Sequence, residues 1–401
     1  EGLTGEEYGI ARILMLLLTV NLAVSFPMSV FSNIISANER FIFLKLLGML
    51  KTVACPLITL PLLLMGFRSI AMVSVTVGVS LFTDILYVFY VLVVMKNRFI
   101  FHGYEKGLFK GLFVYTSFIA LNIIVDQINW NIDKILLGRF KGTVSVAVYS
   151  VGYSLYQYYQ MFSTSISSVF TPRIHKIVNA TQENVNEQRK QLTELFTKVG
   201  RIQLLILGLV ASGLLFFGYN FIVKFWVGNK YQTSYYVMIL LVFSSSIALI
   251  QNLGIEIQRA ENRHKFRSIA YFFMALVNLI ASIFLCQLYG AIGSAIGTAF
   301  SLVLANGLMM NIYYHKRCNI DIIFFWKSIL NLCKGIIIPL VCGILINRFV
   351  TINNAIIFLV MIALYSIIYC ISMWMLGMNE YEKSLVLGPI QKLQRILGVA
   401  K

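Results

Sequence analysis

Residues 111–134 read GLFVYTSFIALNIIVDQINWNIDK, an apolar run that continues into a segment with regularly spaced polar side chains. Asp126, Asn129, Trp130 and Asp133 stand at i, i+3, i+4 and i+7, which is one face of an α-helix, and Lys134 follows directly. Ionisable groups inside a bilayer cost about 2.5–3.5 kcal/mol each, so they usually face a protein interior or a wet cavity. The stretch therefore predicts a membrane helix with a functional polar face, unless Asp133 and Lys134 only mark where the helix leaves the membrane.

The composition of the whole chain indicates a membrane protein. Of its 401 residues, 59% are hydrophobic and 12% are charged, and the mean hydropathy is +0.80. Soluble proteins are about 45–50% apolar. A net charge of +17 would suggest nucleic acid as the partner of a soluble protein. Here the positive-inside bias of membrane loops explains it, so no nucleic-acid partner is expected.

The sequence lacks the patterns that enzymes need. The six cysteines show no metal-ligand spacing, and most lie in apolar runs. We find no paired carboxylates, no nucleophile with a base and no phosphate-binding loop. The chain is therefore expected not to be an enzyme and to need no metal or cofactor, apart from a coupling ion.

Apolar runs long enough to cross a bilayer, which takes about 20 residues, predict an all-α polytopic bundle. There are eleven such runs, at residues 10–36, 43–65, 70–94, 112–133, 144–170, 202–220, 235–257, 269–288, 291–314, 323–346 and 356–374. Of the 33 Lys and Arg residues, 23 lie in or beside alternate connectors and the C-terminal tail, against seven in the opposite set. The positive-inside rule then places the C-terminus in the cytoplasm.

Two connectors repeat along the chain. ANERF at residues 37–41 and AENRHKF at 260–266 each join two apolar runs, and a similar offset places Gly66 on Gly290. Repeats of six spans in the same orientation indicate two lobes with a substrate path between them. The predicted domains are the back half of a first lobe (1–110), a complete lobe (111–318), an appended helix pair (319–378) and an amphipathic cytoplasmic tail (379–401). Three further spans are expected before Glu1, and without them the chain is not expected to be a complete transporter.

The chain resembles the Wzx-type lipopolysaccharide and O-antigen flippases. These form part of the polysaccharide-exporter branch of the multidrug/oligosaccharidyl-lipid/polysaccharide exporter superfamily. The resemblance covers the whole chain and is carried by FPMSVFSNIISANERFIFLKLL, NIIVDQINWNIDKILLGRFKGTVSVAVYS, SSVFTPRIHK, LIQNLGIEIQRAENRHKFRSI and YGAIGSAIGTAFSLVLANGLMMNIYYHK. Members typically have fourteen helices, arranged as six plus six plus two.

The resemblance implies a flippase of the bacterial cytoplasmic membrane. Its substrate would be an undecaprenyl-pyrophosphate-linked oligosaccharide, moved by alternating access. The implied partners are that substrate, membrane lipids and, functionally, glycosyltransferases and a glycan polymerase. The alternative is a cation-coupled multidrug antiporter of the same fold, which would use its acidic residues directly.

Candidate substrate-path residues follow from the needs of an anionic lipid-linked sugar. The span at 144–170 offers aromatic faces and amides at helical spacing, which either line a cavity or pack helices: Tyr149, Tyr153, Tyr156, Gln157 and Gln160. Gln251 and Asn252, in a later span, have the same two interpretations. Lys51 is a scarce intramembrane cation, although it could instead extend to the interface.

Asp126 is the predicted coupling residue, because it lies deeper in its span than Asp133. It would bind Na⁺ or H⁺, or would pair with a basic group to form a gate. Gly293 and Gly297 form a GxxxG pattern within AIGSAIGTA, for which close helix packing is the favoured interpretation.

Overall fold

The computed structural model describes residues 5–396 except 39, 68, 98–105, 181–183, 262, 351 and 353. Within these ranges the chain is helical and contains no strand, which confirms the predicted all-α class. The helices are α1 Gly5–Ala37, α2 Phe41–Leu64, α3 Ser69–Phe89, α4 Lys106–Lys141, α5 Thr143–Ala180, α6 Val185–Asn220, α7 Gln232–Ile250, α8 Leu253–Ala260, α9 His264–Leu302, α10 Asn311–Lys316, α11 Ile322–Cys333, α12 Ile337–Phe349, α13 Ala355–Ser372 and α14 Glu380–Ile396.

The chain forms two compact units, Glu1–Tyr115 and Thr116–Lys401. In the first unit, polar side chains join the apolar helices. Ser25 Oγ of α1 donates to Asp84 Oδ2 of α3 at 2.6 Å, and Lys51 Nζ of α2 donates to Ser80 Oγ of α3 at 2.6 Å. Such contacts connect membrane helices, because the surrounding hydrocarbon offers polar groups no alternative partner.

A helix reversal at Gly290 organises part of the second unit. Gly290 has a φ of +59°, a conformation that glycine adopts without the penalty of a side chain. Across the reversal Thr298 Oγ1 lies 3.3 Å from Asn278 Oδ1, and Tyr271 Oη donates to Asn306 Oδ1 at 2.6 Å. Lys265–Lys316 is therefore an antiparallel pair, consistent with the two spans predicted there.

The two halves of this pair approach closely. A Cβ atom added at Gly293 would overlap the Leu285 carbonyl group, and one added at Gly297 would lie 2.7 Å from Ser282 Oγ. The packing interpretation of this GxxxG pattern is confirmed. The reversal, joined by small residues, forms the scaffold of the candidate site.

Among the described residues, eight helices are long and apolar enough to cross a membrane. One of these is the reversed pair at Lys265–Lys316, and the count of eleven spans stays a prediction. The helices differ in two places from the predicted spans. The single span at 235–257 is divided into α7 and α8 by a turn at Gln251 and Asn252, and much of the connector at 171–198 belongs to α5 and α6.

Candidate functional site

A buried carboxylate, Asp133 of α4, lies at the centre of the candidate site. It is 2% exposed. Three hydroxyl groups donate to it: Tyr149 Oη to Oδ2 at 2.7 Å, Ser294 Oγ to Oδ1 at 2.6 Å and Thr298 Oγ1 to Oδ2 at 2.6 Å. The acid thus has two α9 hydroxyls and one α5 hydroxyl around it.

A second layer of polar groups extends this site. Asn278 Oδ1 accepts from Ser282 Oγ at 3.1 Å and lies 3.3 Å from Thr298 Oγ1. We call the six side chains the Asp133 cluster: Asp133, Tyr149, Asn278, Ser282, Ser294 and Thr298. All six are buried, and their polar atoms are oxygens apart from the amide nitrogen of Asn278.

The local sequence explains how the cluster assembles. Asn278 and Ser282 are one helical turn apart, as are Ser294 and Thr298, so each pair presents two polar groups on one face. The reversal at Gly290 places the two faces opposite each other. Tyr149 reaches the acid from the first turns of α5, which follows the tight turn at Gly142.

Asp133 has no ion-pair partner among the described residues. Its neighbour Lys134 points elsewhere, with Nζ 4.5 Å from the ring centroid of Tyr153. Asp133 and Lys134 are therefore not a pair, and Asp133 is not an exposed residue at the end of its helix. Burial of a carboxylate without a cation is costly, and the three hydroxyl donors offset part of that cost.

The donor set has a clear chemical preference. Carboxylate, hydroxyl and amide oxygens suit hard cations. Within the described part of the chain, no three His, Cys, Asp or Glu side chains are grouped so that they could hold a metal ion. The Asp133 cluster places one carboxylate among neutral oxygen atoms of this kind.

The chain is similar to known exporters. Residues 4–178, less than half of the chain, match a family described as polysaccharide biosynthesis protein. A solved structure of the lipid II flippase MurJ, in an inward closed conformation, has a TM-score of 0.72 and 19% identity, covering 92% of this chain and 75% of that chain. The chain therefore has the same overall fold as that flippase structure. No curated protein matches it, and its assignment to the Wzx type stays a prediction.

The three tyrosines predicted to line a substrate path lie in the interior of the second unit. Tyr149 binds Asp133, and Tyr153 and Tyr156 are buried in the core of the second unit. Of the accompanying amides, Gln157 is exposed and Gln160 is half-buried. The structure favours the packing interpretation for Tyr153 and Tyr156, because side chains enclosed in this way cannot contact a sugar ring.

The remaining predicted residues act between helices or cannot be placed. Gln251 Nε2 donates to Asn311 Oδ1 at 2.7 Å, and Asn252 Nδ2 donates to Ser167 Oγ at 3.0 Å, which again favours packing. Lys51 is half-buried and bonded to Ser80. The side chains of Asp126, the predicted coupling residue, and of Asn129 and Trp130 lie outside the described residues.

Four members of the Asp133 cluster were not singled out from the sequence: Asn278, Ser282, Ser294 and Thr298. Ser294 and Thr298 lie within AIGSAIGTA, which was interpreted as a small-residue packing face. The signal was present, since this face carries two hydroxyls one turn apart. It could be recognised only with the knowledge that the chain reverses at Gly290 and brings a second polar pair opposite.

Proposed function

We propose that the chain is part of a cation-coupled flippase for a lipid-linked oligosaccharide, acting in the bacterial cytoplasmic membrane with its C-terminus in the cytoplasm. The fold and the family match at residues 4–178 support transport in polysaccharide biosynthesis rather than enzyme chemistry. An undecaprenyl-pyrophosphate carrier, an O-antigen or capsule repeat unit as cargo, and a functional link to glycosyltransferases and a polymerase complete the proposal.

The observation that carries the coupling mechanism is the Asp133 cluster. We assign a coupling role to Asp133, because it is buried, lacks a counter-ion among the described residues and is surrounded by oxygens. The coupling role of Asp126 stays a prediction. Binding of Na⁺ or H⁺ neutralises the carboxylate. The cluster joins α4, α5 and both halves of the α9 reversal, so neutralising it changes the interactions that connect these helices.

An ion that binds at the meeting point of several helices shifts the equilibrium between two conformations. The size of this shift equals the difference between the ion's binding free energies in the two conformations. Alternating access requires a shift of this kind. The multidrug alternative would use the same acid to bind a cationic drug directly. The polysaccharide family match favours the glycan substrate.

The test is complementation of a flippase-deficient host by the intact gene. Asp133→Asn keeps the size of the side chain and removes the charge that a coupling ion must neutralise. We expect loss of polymer export at a normal protein level. The matched control is Ser301→Ala, since Ser301 is also buried on α9 but donates only to the Gly297 carbonyl of its own helix. Normal export by Asp133→Asn would contradict the coupling role. Efflux of a cationic dye without glycan export would favour the antiporter.

A further inference from the structure

A cavity of about 190 Å³ opens between α5, α6 and the C-terminal helix α14. Its polar lining comprises Arg173 of α5, Gln191, Glu194 and Lys198 of α6, and Tyr381 of α14. It lies apart from the Asp133 cluster and shares no residue with it. Because α5 and α6 approach each other here at a basic connector, the positive-inside rule places the cavity at the cytoplasmic interface.

The two basic side chains of this cavity differ in their partners. Lys198 Nζ lies 3.6 Å from Glu194 Oε2, and it is also 5.4 Å from the ring centroid of Tyr381. Arg173 is exposed and has no ion pair or hydrogen bond with another described residue. The charge of Lys198 is therefore partly neutralised by Glu194, whereas the guanidinium group of Arg173 can still bind a ligand. This favours an anionic ligand.

Helix α14, which forms the third side of the cavity, is fixed by a buried ion pair. Glu382, next to Tyr381, is 2% exposed and binds Arg201 of α6 through both carboxylate oxygens, at 2.5 and 2.9 Å. Arg201 also donates to the Ser328 and Gly377 carbonyls at 2.7 and 3.1 Å. A buried bidentate pair with its other donors satisfied fixes α14 against α6. The position of Tyr381 in the cavity lining is therefore fixed.

The surroundings indicate that the ligand has an apolar part. Leu385 and Val386, on the next turn of α14, are exposed. An amphipathic helix at an interface places such residues among acyl chains and its basic residues among headgroups. The cavity is smaller than the roughly 300–1,000 Å³ that enclose a drug-sized ligand, so it admits a small headgroup rather than an oligosaccharide.

We propose that this cavity binds the phosphate of an anionic phospholipid in the cytoplasmic leaflet, with Arg173 as the principal cation and Lys198 as the second. Guanidinium groups pair with phosphate through two parallel hydrogen bonds. The acyl chains of the lipid then lie along the apolar side of α14. The site is separate from the proposed transport function, so each can fail without the other.

The experiment is native mass spectrometry of the delipidated full chain titrated with phosphatidylglycerol or with phosphatidylcholine of the same acyl chains. The test variant is Arg173→Gln combined with Lys198→Gln. The matched control is Lys176→Gln combined with Lys190→Gln, which removes two charges from the same pair of helices outside the cavity lining. A melting curve for each variant establishes that it is folded.

We expect the first phosphatidylglycerol to bind at least tenfold more tightly than phosphatidylcholine. The test variant should weaken this binding by about fivefold per charge removed, and the control should not. Arg173→Lys keeps the charge but loses the two parallel N–H donors of the guanidinium group, so it should retain part of the affinity. Equal losses in the test and control variants, or equal binding of the two lipids, would overturn the proposal. So would displacement by millimolar inorganic phosphate or pyrophosphate, which would identify a site for free phosphate instead.

Discussion

Asp133 and Glu382 are equally buried carboxylates of the second unit, each 2% exposed, and yet their partners differ completely. Glu382 meets the guanidinium group of Arg201 and accepts from the Asn379 amide at 3.0 Å, so its charge is balanced within the protein. Asp133 meets three neutral hydroxyls. A fixed counter-charge makes a permanent connection between helices, whereas the coupling role proposed for Asp133 needs a carboxylate whose charge no neighbouring cation neutralises. The first arrangement suits structure and the second suits coupling.

The largest expected effect is on the permanent pair. Arg201→Ala leaves Glu382 buried without its cation, which typically costs about 3–5 kcal/mol of stability. We expect a strongly lowered melting temperature in detergent. Lys198→Ala removes an exposed pair with Glu194 and should cost less than about 1 kcal/mol. If Arg201→Ala melted like Lys198→Ala, the buried pair would not be a structural connection.

A third carboxylate, Glu261, extends the contrast to the connector between α8 and α9. Burial raises the pKa of Glu261 to about 7 from 4.5, and the nearby Arg263, 3.5 Å away, opposes this shift. The folded state therefore holds a proton that the unfolded state has released, so stability falls as pH rises between 4.5 and 7.

The size of that fall is at most about 3 kcal/mol, from 1.36 kcal/mol per pKa unit. Glu261→Gln should remove this part of the pH dependence and should stabilise the protein at neutral pH relative to the unmutated chain. Melting temperatures of both proteins across this range provide the measurement. Parallel curves would show that the Glu261 carboxyl does not titrate differently in the folded state.

The smallest expected effect concerns the hydroxyls of the Asp133 cluster. Thr298→Val and Ser294→Ala each remove one oxygen near the carboxylate, and hydrogen bonds to charged groups contribute about 1.5–3 kcal/mol. Each variant should change the apparent affinity for the coupling cation by about tenfold or more, measured from the cation dependence of transport. The affinity should fall for Na⁺, which loses an oxygen ligand, and rise for H⁺, because the ionised carboxylate loses a stabilising hydrogen bond. Ser301→Ala should leave it unchanged. A similar change in Ser301→Ala would mean that general packing, rather than the cluster, sets the affinity.

Much of the fold could be predicted from the sequence, because apolar runs of membrane length are explicit in it. The reversal near Gly290 was predicted by two adjacent spans, and the close approach at Gly293 and Gly297 by the small-residue pattern. The break at Gln251 was not, since Gln and Asn also occur within unbroken membrane helices, where they bond to neighbouring helices. Local composition does not show where a membrane helix ends so that a side chain at the break can bond to a neighbouring helix.

The candidate site was predictable only in part. The spacing in residues 122–134 singled out Asp133, and the tyrosine periodicity singled out Tyr149; both belong to the Asp133 cluster. The coupling role was given to Asp126 because depth in the apolar run was the only available measure of burial. Partners such as Asn278 and Thr298 are 20 residues apart and more than 140 residues from the acid. Their convergence is a property of the packed helices.

The most direct test of the central claim is the thermal stability of the purified chain as a function of sodium and of pH, for the unmutated protein and for Asp133→Asn. Sodium should replace choline at constant ionic strength in alkaline buffer, and a second series should lower the pH in choline. A ligand at about one hundred times its dissociation constant stabilises by about 2.7 kcal/mol. In the pH series every protein also carries Glu261→Gln, so that the protonation of Glu261 does not contribute. We predict that one of the two cations raises the melting temperature when Asp133 is intact and that Asp133→Asn loses this response while Ser301→Ala keeps it. The same sodium and pH response in Asp133→Asn as in the protein with Asp133 intact would contradict the account.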